Sequence, residues 1–509
     1  MKKDNRFFSF FGMNRYSRVG TVSFLIAVLV LALLITVNAL LGLLPFRLSN
    51  PDVTRSNTFR LSGASKDWLK ELDEDVTLYL ISEGGRNAVD GDLYGFLCRY
   101  EDACDRVRVK IIDPAAEPDF IGAFGGEWPS DKSVIVASAR RWRIIEQTEL
   151  YYYYNQALQQ KLTPAEYAAY LNAFLSGTDT SSEAYYYGQI LYGYADQTTA
   201  YFDGESRVAN AIHFVTRTDV PVMYTYLGAG CTDLDTSLKQ TLSDACYDVR
   251  ALPLISEIPS DCDLLMLHTP TSDLNENEAA SLRDYLASGG RLIVLTSLEG
   301  TDKSPRLADL LSEYGMRTVS DKHILMEGSK NDVLGDPYLF RAHVYSSHHL
   351  TNGFSKSFVA CYPRAISLTE CEGVTVARLL HTSEEGYLYT YGGGQTEGGA
   401  SEEKAEYVLG AVAEKESATV IWLTTAESFS ASVNSLTENN GNFLFLLQIA
   451  NRTVGMEHTP ISIASSPFET TGINVSVGQF MILAILIVLI LPLTAVAIGV
   501  IIWQMRKKR

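Results

Sequence analysis

No Cys-x-x-Cys pair occurs among the seven cysteines of this 509-residue chain, so neither a zinc knuckle nor a dithiol redox centre is indicated. Cys98, Cys104, Cys231, Cys246, Cys262, Cys361 and Cys371 are an odd number, which leaves at least one unpaired, and they are too sparse for a disulfide scaffold. The plain reading is small buried hydrophobes. A phosphate-cradling Gly-rich loop ending in Lys-Ser or Lys-Thr is also missing, so the chain cannot itself be an ABC-type ATPase. Basic residues are scarce outside the two ends. The formal net charge is −18, residues 1–18 and 506–509 each carry +4, and the part between them therefore carries −26. Such a domain stays soluble and is repelled by nucleic acid, and the sequence implies no cofactor.

What the chain does have is two long uncharged runs. Residues 19–44 and 477–503 are each long enough to cross a bilayer, which needs about 20 residues. Pro492 inside the second is tolerated at membrane depth. Lys2, Lys3, Arg6, Arg15 and Arg18 precede the first run, and Arg506, Lys507, Lys508 and Arg509 follow the second. The positive-inside rule then predicts a cell-membrane protein with both termini cytoplasmic and the central part extracytoplasmic. A cleaved signal peptide fits less well, because its apolar region would be about 7–15 residues with a small-x-small site after it.

The organisation expected is a cytoplasmic tail (1–18), a transmembrane helix (19–44), a linker and thioredoxin-like domain (45–150), a Tyr-rich insertion (151–201), a connector (202–216), a doubly wound α/β domain (217–455), a linker (456–476), a second transmembrane helix (477–503) and a tail (504–509). The fold class is thus α/β. In the first domain the pattern predicts helix 68–72, strand 76–81, helix 92–103, strand 107–112 and a hairpin of 134–137 with 142–145, a thioredoxin-like order without the cysteines. The tyrosines of 151–201 could bind an envelope polymer or protein through flat apolar faces, but at helical spacing they more often pack a helical hairpin.

From residue 220 the pattern is strand 222–227, helix 234–245, strands 249–252 and 264–267, helix 276–288, a Gly289-Gly290 stop and strand 291–295. A β-rich stretch covers 330–390, and helix 402–413, strand 419–424 and helix 443–450 follow. That alternation predicts a parallel, doubly wound sheet of the flavodoxin-like or class I glutamine-amidotransferase-like kind.

Four residues are the crevice candidates for a ligand: Gly228, Gly230, Asp233 and Ser297. Gly228-Ala229-Gly230 lies where a Rossmann turn would hold a pyrophosphate, yet Asp233 replaces the third glycine, and a carboxylate there repels phosphate. Asp233 and Asp235 read instead as helix caps. Ser297 follows a strand but lacks the small neighbours of a nucleophile elbow, so no catalytic residue is assigned. His343, His348 and His349 could supply two metal ligands, but no third follows at a recognisable spacing, so no metal is assigned.

Five segments in order carry a family resemblance. They are residues 57–62 with 69–76; Phe202-Asp203-Gly204-Glu205-Ser206 with Asn210-Ala211-Ile212; residues 221–230; residues 264–295, including Thr269-Pro270 and Tyr285-Leu286-Ala287-Ser288-Gly289-Gly290; and Leu379-Leu380-His381-Thr382-Ser383. On these the chain resembles the GldG-like, gliding-motility-associated auxiliary proteins of ABC transporters. It departs from them at Gly228-Ala229-Gly230-Cys231, where relatives often carry a Gly-His-Gly-Glu-like turn, and at His348-His349, where a His-Pro pair is common. The resemblance implies a non-catalytic accessory subunit, a binding or scaffold domain working with a multispan ABC permease and a cytoplasmic ABC ATPase. The rival readings are a stand-alone envelope enzyme acting on glycan or peptide, which would need a nucleophile or metal the sequence does not offer, and a ligand-binding sensor, whose tails are too short for an output domain.

Overall fold

Val76, Leu78 and Leu80 alternate with half-exposed neighbours, and this period of two makes β1 (Val76–Ile81) the centre of a small sheet. The computed structural model describes residues 58–468 except 159, 254–256, 299, 327–332, 391–403, 438–439, 457–460 and 462. Both expected spans, 19–44 and 477–503, lie outside the described residues. Among the described residues no helix is long and apolar enough to cross a membrane.

β1 pairs in parallel with β2 (Val107–Ile112) and antiparallel with β3 (Val134–Ala137), which pairs with β4 (Trp142–Ile145), giving the order β2-β1-β3-β4. The helix expected at 68–72 begins earlier, as α1 (Gly63–Leu69), because Ser62 caps it by accepting from Ser65 N at 3.1 Å. Asp90 caps α2 (Gly91–Ala103) in the same way, and Leu93, Phe96, Leu97 and Tyr100 bury its inner face.

The Tyr-rich stretch contains the expected helical hairpin, α3 (Pro164–Ser176) against α4 (Glu183–Gly193), with Tyr170 and Tyr187 in contact. Gly188 is what lets the two helices close: a Cβ there would stand 2.0 Å from the Tyr170 carbonyl oxygen. The flanking tyrosines are not helical. Tyr151–Asn155 forms β5, Gln160–Leu162 β6 and Thr198–Phe202 β7, because rings on adjacent strands stack, as Tyr152 does on Tyr201 at 5.1 Å. Residues 202–216, expected as a connector, contain the helix α5 (Gly204–Thr216), whose Val208, Ala211, Ile212 and Val215 complete the first core. Glu205 on this helix accepts from Ser62 N and Ser65 Oγ, both at 2.6 Å, locking it to α1.

The large sheet has twelve strands. Its parallel part comprises β8 (Val222–Tyr226), β9 (Asp248–Leu252), β10 (Leu264–His268), β11 (Arg291–Leu295) and, after seven intervening strands, β19 (Ala418–Leu423), in the spatial order β9-β8-β10-β11-β19. Leu264 and Met266 face one side, and Leu265 and Leu267 the other. Leu238 and Leu242 of α6 (Thr236–Asp244), with Phe445, Leu446 and Ile449 of α9 (Asn442–Val454), cover the first face. The second is covered by Leu282 and Leu286 of α7 (Glu276–Ala287) and Leu307 and Leu311 of α8 (Pro305–Glu313). Helices thus lie on both faces of this parallel part, in a mixed α/β fold.

Beyond β19 the sheet turns antiparallel, through β18 (Val408–Lys415), β16 (Thr375–His381), β13 (Leu339–Val344) and β14 (Phe358–Cys361). β12 (Met316–Met326), β15 (Arg364–Leu368) and β17 (Gly386–Thr390) pair beside this path. The helix expected at 402–413 is corrected here: residues 408–413 are strand. Leu409 and Val412 face one core while Ala411 and Ala413 face the other, and a strand buried on both faces needs this unbroken apolar run. Gly410 makes the close pairing possible, since a Cβ there would meet Leu423 Cδ2 at 2.6 Å.

The chain ends this part where it began. β20 (Ser466–Phe468) pairs with β7, and Thr58 Oγ1 donates to the Pro467 carbonyl at 2.8 Å. All seven cysteines are free thiols.

Asn442 is a stringent test of this packing. It is buried, its amide nitrogen donates to Val359 O (2.8 Å) and Ser428 O (2.7 Å), and its amide oxygen accepts from Val359 N (2.9 Å). Asn442→Ala strands three buried backbone groups and is expected to cost about 3 kcal/mol, measured as a shift in the denaturation midpoint.

Candidate functional site

In the order β9-β8-β10-β11-β19, helices change face between β8 and β10, and the crevice of such a sheet opens there, beyond the strand C-termini. Gly228, Gly230 and Asp233 follow β8, at that point. Ser297 follows β11, with β10 between, so it stands roughly 10 Å to the side by strand spacing.

The turn after β8 is sterically determined. A Cβ on Gly228 would lie 2.2 Å from the Tyr226 hydroxyl, and one on Gly230 would lie 2.1 Å from Thr271 Oγ1. Gly230 also takes a positive φ of 67°. The loop after β10 then closes over the turn. Thr232 N donates to His268 O at 3.0 Å, and Thr271 N and Ser272 N donate to Ala229 O at 3.2 and 3.0 Å. Thr271 Oγ1 donates to Gly230 O at 3.0 Å. The space a ligand would enter is therefore crossed by loop-to-loop hydrogen bonds.

Beneath the turn, the Tyr226 hydroxyl donates to Glu278 Oε1 in a buried pair. Glu278 Oε2 accepts from Asn275 N (2.8 Å) while the Asn275 side chain accepts from Glu278 N (2.9 Å), a capping box that starts α7. Burial, then the bond to Glu278, holds the Tyr226 phenol far above its usual range. Burial also pushes the Cys231 thiol up to about 12, which makes it a poor nucleophile. Asp235 caps α6 as expected, accepting from Ser237 N at 2.8 Å. Asp233 does not cap that helix; it accepts from Leu234 N and pairs with Lys239.

Around Ser297 the loop is a structural turn. Gly300 N donates to Ser297 O at 2.8 Å, and Thr296 Oγ1 accepts from Trp422 Nε1 at 3.0 Å. Gly300, at φ 59°, leaves room for buried Arg364, whose Nη1 pairs with Asp302 at 2.7 Å.

His268 and Glu278 are not among the crevice candidates that the sequence offers, although Glu278 is one of the residues of 264–295 that carry the family resemblance. The Asn275-x-x-Glu278 capping box is readable from spacing, whereas the approach of His268 Nδ1 to Thr232 Oγ1 at 2.8 Å is a product of topology alone.

The three histidines do not form one group. His343 stacks on His381 at 5.5 Å, and His381 Nδ1 lies 3.4 Å from Glu406. His348 and His349 form a separate pair, 4.4 Å between rings, beside Glu414.

Two clefts lie at the other end of the sheet. One, of about 780 Å³, runs between β4 and the starts of β8 and β9, and is lined by Arg140, Arg141, Arg143, Phe214 and Arg250. Arg143 stacks on Phe214 at 3.8 Å and donates to Ser243 O at 2.7 Å; its burial lowers its pKa. The other, of about 590 Å³, is lined by Pro259, Cys262, Tyr285, Gly290 and Arg291.

Burial lowers the pKa of His268, with Thr232, Asp233 and Asp235 opposing it. The unfolded chain, with His near 6.5, thus takes up the proton first, and the stability His268 contributes is lost as pH falls from 6.5 through its folded value. His268→Asn is expected to flatten the decline of stability with pH over this interval, measured by denaturation at a series of pH values. A parallel decline in both proteins would show that His268 is not desolvated.

No curated protein matches the chain. Among solved structures, the mmIFT52 N-terminal domain is 12% identical over 46% of this chain and 98% of its own, with a TM-score of 0.35. Cytoplasmic protein STM1381 from Salmonella typhimurium LT2 is 10% identical over 46% of this chain and 98% of its own, with a TM-score of 0.31. For a β-galactosidase from Rahnella sp. R3 the figures are 12% identity, 50% of this chain and a TM-score of 0.24, and the chain spans only 34% of that protein. Likenesses this weak carry no chemistry over. The family match is of another kind: from the end of α5 into β19, residues 214–421, the chain matches the family described as an ABC-type uncharacterized transport system, consistent with the GldG-like auxiliary proteins that its sequence resembles.

Proposed function

We propose that the chain is a membrane-anchored, non-catalytic accessory subunit of an ABC transport system, with residues 45–476 outside the cytoplasm and both termini inside. The family match over residues 214–421 supports the transport assignment. The observation that carries the anchoring is the Thr58–Pro467 hydrogen bond of 2.8 Å. The two segments that lead toward the uncharged runs at 19–44 and 477–503 leave the folded part from one place, as they must if two neighbouring helices hold one domain.

In this reading the first sheet with α2 and α5 is a thioredoxin-like domain, interrupted by the Tyr-rich insertion 151–201, and residues 217–455 form the flavodoxin-like, doubly wound domain. The anchors pack against helices of a multispan permease, whose partner ATPase supplies the energy. The outer domains act as a scaffold and binding surface near the exit side. Two features favour surface binding over a buried substrate: the stitched crevice at Gly228–Gly230, and tyrosines exposed on α4 and just beyond it, Tyr186, Tyr192 and Tyr194. An envelope polymer or protein is the partner that such rings suit.

Mild-detergent pull-down of the full-length protein from its native membrane, followed by mass spectrometry, tests the reading. Enrichment of an ABC ATPase together with a multispan permease is the expected result; a clean preparation without transporter subunits would overturn it. Cysteine-labelling reagents that do not cross the membrane should reach a cysteine placed at Tyr186 in intact cells, and failure to do so would reverse the assigned topology.

A further inference from the structure

The loop after β13 carries His348 and His349, and its backbone is held from two sides. Thr351 N and Asn352 N donate back to His348 O at 3.1 and 2.8 Å, which makes a turn. From α9, Gln448 Nε2 donates to Leu350 O at 3.1 Å, and Arg452 Nη1 donates to His349 O at 2.5 Å and to Asn352 O at 2.8 Å. The two rings come off this turn together, 4.4 Å between centroids.

Facing them is Glu414 of β18, whose position is set by its pairing with Thr375 in β16 and Thr419 in β19. His349 Nε2 is 3.6 Å from Glu414 Oε1, and one donor atom from each of His348, His349 and Glu414 lies within 4.8 Å of the others. Donors on a tetrahedral zinc ion, each about 2.0–2.1 Å from the metal, stand roughly 3.3 Å apart. Rotation of the exposed His349 and small adjustments of the part-exposed His348 and Glu414 close that difference. A surface ion pair between His349 and Glu414 would need only one histidine; the second imidazole, turned to the same carboxylate, is what a shared cation explains.

We propose that His348, His349 and Glu414 bind a divalent transition-metal ion of the zinc class, through two imidazole nitrogens and one carboxylate oxygen, with the remaining coordination open to water or to a donor from another molecule. Imidazole with carboxylate suits zinc better than magnesium or calcium, which prefer all-oxygen sets. Leu350 N donates a long bond, 3.3 Å, to His348 Nδ1, and this is the contact that yields when the ring turns to a metal. Arg452 is a nearby charge that opposes a cation, and it is held by the His349 and Asn352 carbonyls. Open coordination beside an exposed loop gives an accessory protein a place where a partner's side chain or a substrate's oxygen could complete the shell.

The test is zinc titration of the metal-stripped, full-length protein in detergent, with free zinc fixed by a competing chelator. One equivalent per chain is expected. Affinity should fall by at least roughly tenfold in His349→Ala and in Glu414→Gln. The His343→Ala, His381→Ala double variant, which alters the separate histidine pair, should bind as the wild type does. Cobalt in place of zinc should give visible bands without thiolate charge transfer, which separates this site from the seven cysteines. Zinc should also raise the melting temperature of the wild type and not that of either ligand variant, whose own melting temperatures without metal should match the wild type's. No stoichiometric uptake, uptake indifferent to both ligand substitutions, or a thiolate band would each overturn the proposal.

Discussion

A parallel sheet covered by helices on both faces has no side left for water, and this requirement governs the large domain. Its central strands must be apolar on both faces, so β10 reads Leu-Leu-Met-Leu and β11 Leu-Ile-Val-Leu after its first residue, whereas the edge strand β9 stays half exposed. Each crossover must also be right-handed, which sends α6 to one face and α7 to the other. The loops after β8 and β10 consequently part at their strand ends. In many sheets of this order that gap receives a ligand. Here the gap is taken up by protein, through Thr232, Thr271 and Ser272, over a floor made by Tyr226 and Glu278.

The same requirement explains what could be read in advance. Residues 76–81, 107–112, 134–137 and 142–145 were legible to the residue because each is a short β-branched run bounded by turn or charged residues. The helix α7 was legible with its Gly289-Gly290 stop, and the helix expected at 443–450 lies within α9 (Asn442–Val454). Residues 402–413 misled because alanine, glutamate and lysine favour a helix, while the side that decides is tertiary: β16 and β19 leave a slot two strands apart that only an extended segment can fill. The tyrosines of 151–155 and 198–202 misled for a related reason, since cross-strand stacking is invisible to helical spacing. The hydrogen bonds that close the loops around Gly228–Gly230 were illegible, because they join residues far apart in sequence. Glu414 was illegible for the same cause, lying more than sixty residues from the histidines it faces.

The first domain joins the rest of the described chain. Its helix α5 meets α1 through Glu205 and the return segment through Asn210, which accepts from Ile461 N at 2.9 Å. Arg207 on the same helix binds Asp203 at 2.9 Å and Asp244 of α6 at 2.7 Å, and so ties the first sheet to the large domain. These bonds are largely shielded from solvent, so they resist screening better than surface pairs do. One helix therefore touches the N-terminal segment, the C-terminal segment and the large domain.

That geometry bears on which surfaces face which way. The starts of β8 and β9 lie against the first domain, across the arginine-lined cleft, and their C-terminal ends point away from it. If the anchors leave from Thr58 and Pro467, as proposed, the loops carrying Gly228, His268 and Ser297 stand at the end of the large sheet remote from the first domain, while the cleft with Arg140, Arg141, Arg143 and Arg250 sits between the two domains. The cleft then gathers positive charge within a part of the chain that carries −26 overall. Arg140 is paired with Glu74 at 2.6 Å, and Arg250 with Asp248 and Asp261 at 2.6 and 2.7 Å, so the charge of these two is answered within the protein. Arg143 spends its hydrogen bonds on carbonyls and its face on Phe214, which makes it a brace between the domains. Both the stitched crevice and the braced cleft are held shut or held apart by the protein's own groups. If the chain is the scaffold proposed above, its outer surfaces are what remain for a partner to meet.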